Sequence, residues 1–199
     1  MGSRGNLRPR AIRPLSAAMR KGDLALRIAA TAAVAEFARE YEDPDCIEPL
    51  MERLPDAPEV RREAAWGLNF LHDPRSFEPL RDALFLPDVD SPILDFSHPK
   101  PETAQRAVAG ALAGLNDERA AGEFLRLLEV ENSTGRVEAL AGLVRLRDPR
   151  VLPYFDSRLE SDWSFPFGTV CTIAGKVYPP DVLRREVMEV IREMRSGQV

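Results

Sequence analysis

The side chains that carry most enzymatic chemistry are scarce in this chain. Of 199 residues only two are histidines, His72 and His98, and two are cysteines, Cys46 and Cys171. A thiol becomes a nucleophile when a base or a positive neighbour lowers its pKa. Cys171 and His98 would therefore form a nucleophilic pair only if the irregular segments holding them met in space, and nothing local activates the thiol. His72 stands immediately before Asp73, as Asn116 stands before Asp117 and Arg147 before Asp148, which reads as a turn residue rather than a base or ligand. The cysteines belong to no CxxC or Cys/His spacing, so neither a disulfide framework nor a zinc site is expected. Carboxylates are numerous, but without histidine they read as a solvated acidic surface rather than a di-metal site. Neither GxGxxG nor GxxxxGK[ST] occurs, and "AGALAG" lies within a helical pattern with no strand before it. No catalytic residue, metal ligand or cofactor is assigned.

Binding chemistry is better represented. Two residues past Asp43, Asp73, Asp117 and Asp148 the chain carries Asp45, Arg75, Arg119 and Arg150. An arginine in the first turn of a helix opposes the helix dipole, so helix stability does not explain the row. It pairs either with the acids of a neighbouring unit or with an acidic partner. Glu48, Glu52, Glu78 and Asp82 make the early surface acidic, while Arg126 and Tyr154 make the later surface less so. A surface graded in charge would orient a partner. Two segments break the pattern around them: residues 85–101, with four prolines and Phe85, Ile93, Leu94 and Phe96, and residues 161–180, with Trp163, Phe165, Phe167 and Tyr178. Long irregular segments in compact arrays commonly carry function. Their aromatic residues would serve as interface anchors or as an apolar plug at the end of a stack. "TVCTIAGKV" has enough β-branched residues for a short strand or hairpin.

The elements that position these residues are written as a repeat. Asp43, Asp73, Asp117 and Asp148 are separated by 30, 44 and 31 residues. Removing about 13 residues from the insertion "FLPDVDSPILDFSHPKP" restores a single period of the length typical of stacked supersecondary units. Asp can cap the following helix, and Pro at the first helical position gives up an N–H that would have lacked a partner anyway. Asp43-Pro44, Asp73-Pro74 and Asp148-Pro149 follow that rule, and Asp117-Glu118 replaces Pro with an acid suited to the positive helix end. Beyond each Asp one apolar stripe recurs: Ile47, Leu50, Leu54; Phe77, Leu80, Leu84; Ala121, Phe124, Leu128; and Leu152, Phe155, Leu159. Upstream, a second stripe runs through Val60, Ala64, Leu68, Leu71; Ala104, Val108, Leu112, Leu115; and Ala139, Leu143, Leu146. Gly67, Ala111 and Gly142 share one position of that helix. Because Gly costs about 1 kcal/mol against Ala inside a helix, its recurrence predicts close helix contact. The helix opening the first unit reads about a turn longer than its counterparts. "VLRREVMEVIREM" repeats the opening helix through Leu183, Val187, Ile191 and Met194, as a terminal cap would.

The pattern V-R-x-x-A-A-x-x-L-x-x-L-x-D-P-x-x-x-x-x-L-x-x-x-L, seen best at residues 60–84 and 135–159, resembles HEAT repeats, especially the short class first associated with phycobilisome lyases. The resemblance covers about residues 26–160 and the last helix. It implies an all-α fold: a right-handed α-solenoid of about four HEAT-like helix pairs with terminal capping helices and two irregular insertions. Functionally it implies a non-catalytic adaptor or scaffold whose partner is another protein. The alternatives are a chromophore (bilin) lyase-like enzyme or carrier, and nucleic-acid binding through the N-terminal arm and the arginine row. Deoxyhypusine hydroxylases also resemble HEAT stacks and carry repeated His-Glu dipeptides as iron ligands; this chain has none.

Charge weighs against the nucleic-acid alternative. Residues 1–22 hold six basic and no acidic side chains, and the remaining 21 basic against 32 acidic residues leave residues 23–199 at net −11. Duplex binders draw most non-specific affinity from phosphate neutralisation, which such a body disfavours. Residues 1–22 are expected to form a solvated basic arm or a first helix, and residues 23–199 a single domain. "LALRIAATAAVAEFA" imitates a signal peptide, but Arg27 and Glu36 interrupt it and its spacing suits an amphipathic helix. No run of about 20 apolar residues predicts a membrane span, Asn6 spoils a myristoylation signal at Gly2, and a reducing cytosol suits the cysteine usage.

Overall fold

The structure is a computed structural model that describes residues 8–88, 103–130, 133–156, 171–173, 176–178 and 189–197. Helix α1 (Arg8–Lys21) is followed by hairpins of a longer and a shorter helix: α2 (Leu24–Tyr41) with α3 (Ile47–Met51), α4 (Pro58–Leu68) with α5 (Phe77–Ala83), α6 (Ala104–Leu115) with α7 (Ala120–Glu129), and α8 (Arg136–Arg145) with α9 (Leu152–Asp156). Residues 189–196 are again helical. The exception to helix is a two-stranded antiparallel ribbon, β1 (Cys171–Ile173) and β2 (Lys176–Tyr178), paired through Thr172 and Val177 at the "TVCTIAGKV" segment.

The longer helices lie side by side in chain order, α2 against α4, α4 against α6 and α6 against α8, while α3 packs on α4, α5 on α6 and α7 on α8. This is the arrangement a helical, solenoid-like array requires, because a lone hairpin cannot cover both of its apolar faces. The predicted stripes form the core. Ile47, Leu50, Leu54, Phe77, Leu80, Leu84, Phe124 and Leu128 are buried from the shorter helices, and Val60, Ala64, Leu68, Val108, Leu112, Ala139 and Leu143 from the longer ones. Leu71, Leu115 and Leu146 are half-buried at the helix ends and pack against that core. Ile191 and Met194 of the last helix are buried as well, whereas Leu183, Val187 and Leu159 lie outside the described residues.

The shared small position has a direct steric cause. A Cβ on Gly67 would stand 2.8 Å from both Cα and Cβ of Ala35 in α2, and one on Gly142 would run into the ring of Phe124 in α7. The same position in the first hairpin, six residues before Asp43, is Phe37. There α2 is preceded by α1, which packs on it, rather than by the longer helix of another hairpin. Phe37 packs against the core and against Tyr41 at 5.5 Å between ring centroids. Helix α2 has 18 residues against 11 in α4 and 12 in α6, a larger excess than the single turn expected.

Helix α1 occupies the segment anticipated as an arm or a first helix. Ile12 and Met19 are buried, Ser16 Oγ donates to the Ile12 carbonyl at 2.8 Å, and Arg20 forks onto Glu52 at 2.7 and 3.0 Å. Arg53 Nη1 donates to the Met19 carbonyl at 3.0 Å, fastening the end of α1 to the segment after α3. Part of its positive charge is thereby consumed inside the fold.

Candidate functional site

Every hairpin turns through the same two residues. Glu42, His72, Asn116 and Arg147 adopt left-handed backbone with φ of 49°, 47°, 52° and 55°. The Asp that follows then caps the next helix: Asp43 accepts from the Asp45 N–H, Asp73 from Arg75, Asp117 from Arg119 and Asp148 from Arg150, all at 2.9 to 3.0 Å. With Pro at the first position the chain enters through one turn of 3-10 helix at Pro44–Cys46, Pro74–Ser76 and Pro149–Val151. His72 is thus the turn residue its spacing predicted, and its left-handed backbone closes a helix.

On this frame the arginine row folds back onto its own caps. Arg75 donates from Nε and Nη2 to the two carboxylate oxygens of Asp73, each at 2.9 Å. Arg119 grips Asp117 in the same way at 2.7 to 3.1 Å, and Arg150 grips Asp148 at 2.5 to 3.2 Å. The remaining Nη1 reaches the preceding hairpin, from Arg75 to Glu48 at 3.3 Å and from Arg119 to Glu78 at 3.2 Å. Of the two alternatives for the row, pairing with a neighbouring unit's acid therefore holds for Arg75 and Arg119, and each of them bridges two consecutive hairpins. The paired guanidinium holds Asp73, Asp117 and Asp148 below the usual carboxylate range, and the hydrogen-bonded carboxylates push the three arginines up. The arginine at this position opposes the helix dipole, as anticipated, but it fixes the cap that receives the free N–H groups.

The other residues of this edge are similarly engaged. Glu78 and Asp82 both bind Arg81, the latter at 2.7 Å. Arg126 pairs with Glu123 at 2.7 Å and lies over the exposed ring of Phe85 at 4.5 Å, while Arg119 covers the buried Phe77 ring at 3.9 Å. Cations held over aromatic faces gain quadrupole attraction. Tyr154 is half-buried against the core. The structure thus brings Glu48, Arg75, Glu78, Asp82, Arg119, Arg126, Arg150 and Tyr154 onto the shorter helices and their caps. Phe96, Trp163, Phe165, Phe167 and His98 lie outside the described residues. A family model of HEAT repeats matches residues 12–92. The match runs from α1 through α5 into the first insertion, so it takes in the first two hairpins and the Glu48–Arg75 bridge. No curated protein matches the chain. HEAT repeats commonly mediate protein–protein interaction.

Several polar anchors escaped the sequence reading. Asp88, at the start of the insertion, accepts from the Gln105 N–H at 2.7 Å, and Thr103, after it, accepts from Arg106 at 3.2 Å, so the insertion is tied at both ends to the beginning of α6. The side-chain Oε1 of Gln105 in turn accepts from Ser133 Oγ and the Thr134 N–H, each at 3.0 Å. Arg61 is buried in α4, donates to the Pro87 carbonyl at 2.7 Å and has its pKa pushed down by burial. Arg106 pairs with Glu138 at 2.9 Å across α6 and α8. Apart from the local Thr103 cap, these join residues far apart in the chain, so they have no one-dimensional signal. Cys46 is buried, and desolvation with nearby Asp43 and Asp45 pushes its thiol up to about 12, which disfavours the thiolate. Among the described residues no helix is long and apolar enough to cross a membrane.

Proposed function

We propose that this chain is a non-catalytic protein-binding adaptor built as a right-handed solenoid of four short HEAT-type helix pairs, and that it works in a reducing, cytosolic setting. Partners lie along the face formed by α3, α5, α7 and α9. The observation that carries the reading is the Asp–Arg–Glu bridging along this face. Exposed charges are held at equivalent positions in successive hairpins, so a partner meets a preorganised surface and loses less side-chain freedom on docking. Phe85 under Arg126 supplies an apolar contact on the same side, and the aromatic residues Phe96, Trp163, Phe165 and Phe167 add specificity from the insertions. The charge order, acidic at Glu48, Glu78 and Asp82 and less so toward Arg126 and Arg150, sets the partner's direction.

The test is affinity capture with mass spectrometry on the full chain, comparing the wild type with Arg119→Glu, Arg126→Glu and Trp163→Ala. The adaptor reading expects a reproducible partner whose recovery falls in at least one variant that melts like the wild type. Turnover abolished by changing His98 or Cys171, or a coloured adduct formed with bilin, would replace it with an enzymatic reading.

A further inference from the structure

We infer that Arg150 is a receptor for a side-chain carboxylate presented by an acidic segment of a protein partner; this rests on the adaptor reading above and specifies its chemistry. The residue five positions past the capping Asp supplies the acid that reaches the next hairpin's arginine. It is Glu48 after Asp43 and Glu78 after Asp73, but Gly122 after Asp117. Arg150 therefore completes only half of the arrangement seen at Arg75 and Arg119. Its Nε and Nη2 are committed to Asp148, and among the described residues its Nη1 has no acid from the preceding hairpin. Space is present where that acid would stand, since a Cβ built on Gly122 meets no heavy atom within 4 Å.

A guanidinium carries five N–H donors in a planar fork, enough for two carboxylates at once. Asp148 fixes the orientation of that fork, so the third nitrogen is aimed without further ordering of the side chain. The Arg150 side chain is 60% exposed, and the acids of the neighbouring cations are already assigned, Glu123 to Arg126 and Glu193 to Arg147. An external carboxylate lying over Gly122 would accept from Nη1 as Glu48 and Glu78 do from their arginines. The rest of the row is already satisfied within the chain, so the acid-reading function falls to this one arginine.

The experiment follows arginine Nε–H resonances of the full chain by NMR while titrating acetyl-tetraglutamate amide, with acetyl-tetraglutamine amide as the neutral control. The expected result is a response centred on Arg150, absent in Arg150→Lys and retained in Arg119→Lys. Gly122→Glu supplies the acid from within. It should shift the Arg150 resonance before any probe is added and weaken the probe about two- to fivefold, the range of an exposed ion pair. Because Gly122 is exposed and unobstructed, this variant should melt at or above the wild-type temperature, so a lost response reports the site rather than unfolding. Equal responses at Arg75 and Arg119, or an unchanged titration in Gly122→Glu, would overturn the inference. A preference for acetyl-tetraalanine with a free C-terminus would overturn the side-chain assignment, and an equal response to a thymidine decanucleotide would show a non-selective anion site instead. Partner capture that is equal in the wild type and Gly122→Glu keeps the adaptor reading and removes this one. An intact Arg150 response with no partner captured removes the adaptor reading and, with it, the protein source of the carboxylate, leaving Arg150 as a carboxylate site only.

Discussion

Replacing Gly67 with alanine tests whether close approach of neighbouring hairpins holds the array together. On an isolated helix the change would stabilise, because Ala exceeds Gly by about 1 kcal/mol in helix propensity. Here the new methyl would stand 2.8 Å from Cα and Cβ of Ala35 and 2.9 Å from Leu50 Cδ1. Carbon atoms rest at about 3.5–4.0 Å, so α2 and α4 would have to separate by most of an ångström. The nearest obstacle is backbone, which no rotamer change can move aside. Overpacking of this kind costs about 1–3 kcal/mol. With the propensity gain offset and the tight backbone contact placing the cost toward the upper end, the net loss is about 1–2 kcal/mol. At roughly 2–4 °C per kcal/mol for a domain of this size, the melting temperature should fall by about 2–8 °C. Gly122→Ala is the internal control, since its methyl meets nothing and should raise stability by up to about 1 kcal/mol. Thermal unfolding followed by circular dichroism at 222 nm measures both. If Gly67→Ala melts at or above the wild type, or if the two substitutions shift the transition in the same direction, the packing argument is refuted.

Glu42→Gly should stabilise by about 0.5–1 kcal/mol, because Glu42 sits at φ 49° and a residue with a Cβ is strained in that region; urea unfolding beside Glu42→Ala, which keeps the Cβ, checks it. Asp73, Asp117 and Asp148 have depressed folded-state pKa values, so their contribution is complete above the ordinary carboxylate pKa and disappears as pH falls through the folded values. Melting temperatures measured downward from pH 6 should therefore drop below about pH 4, less steeply in the triple Asp→Asn variant than in the wild type. Cys46 should resist alkylation by iodoacetamide in the native protein and react once denaturant unfolds the first hairpin; rapid modification of the folded chain would contradict its burial and raised pKa. Asp43→Ala should cost about 1 kcal/mol through the lost cap, again read by urea unfolding.

The fold was legible because it repeats. Asp-Pro punctuation, two apolar stripes and one small position each recur, so chance agreement at one unit is corrected by the next. The arginine row was visible as spacing, but its partners were not. Arg119 meets Glu78 across 41 residues, a distance along the chain lengthened by the insertion, and only stacking sets the pairing. The left-handed residues before each Asp were half legible. His72 was recognisable from its place, whereas Glu42 has a side chain that gives no hint of positive φ. Polar anchors such as the buried Arg61 and the half-buried Gln105 were missed because a charge or amide on an apolar-patterned helix looks like surface until its neighbour is known.

Helix α1 and Phe37 give the array a direction of growth. A duplicated unit grafted ahead of α2 would meet α1, which already packs on that helix and buries Ile12 and Met19 in the core, and would find Phe37 where the later hairpins carry Gly67 and Gly142. Lengthening this protein from its leading edge thus requires displacing α1 as well as trimming that ring. A splice between α4 and α6 meets glycine or alanine at every junction and should accept an extra unit with no such adjustment.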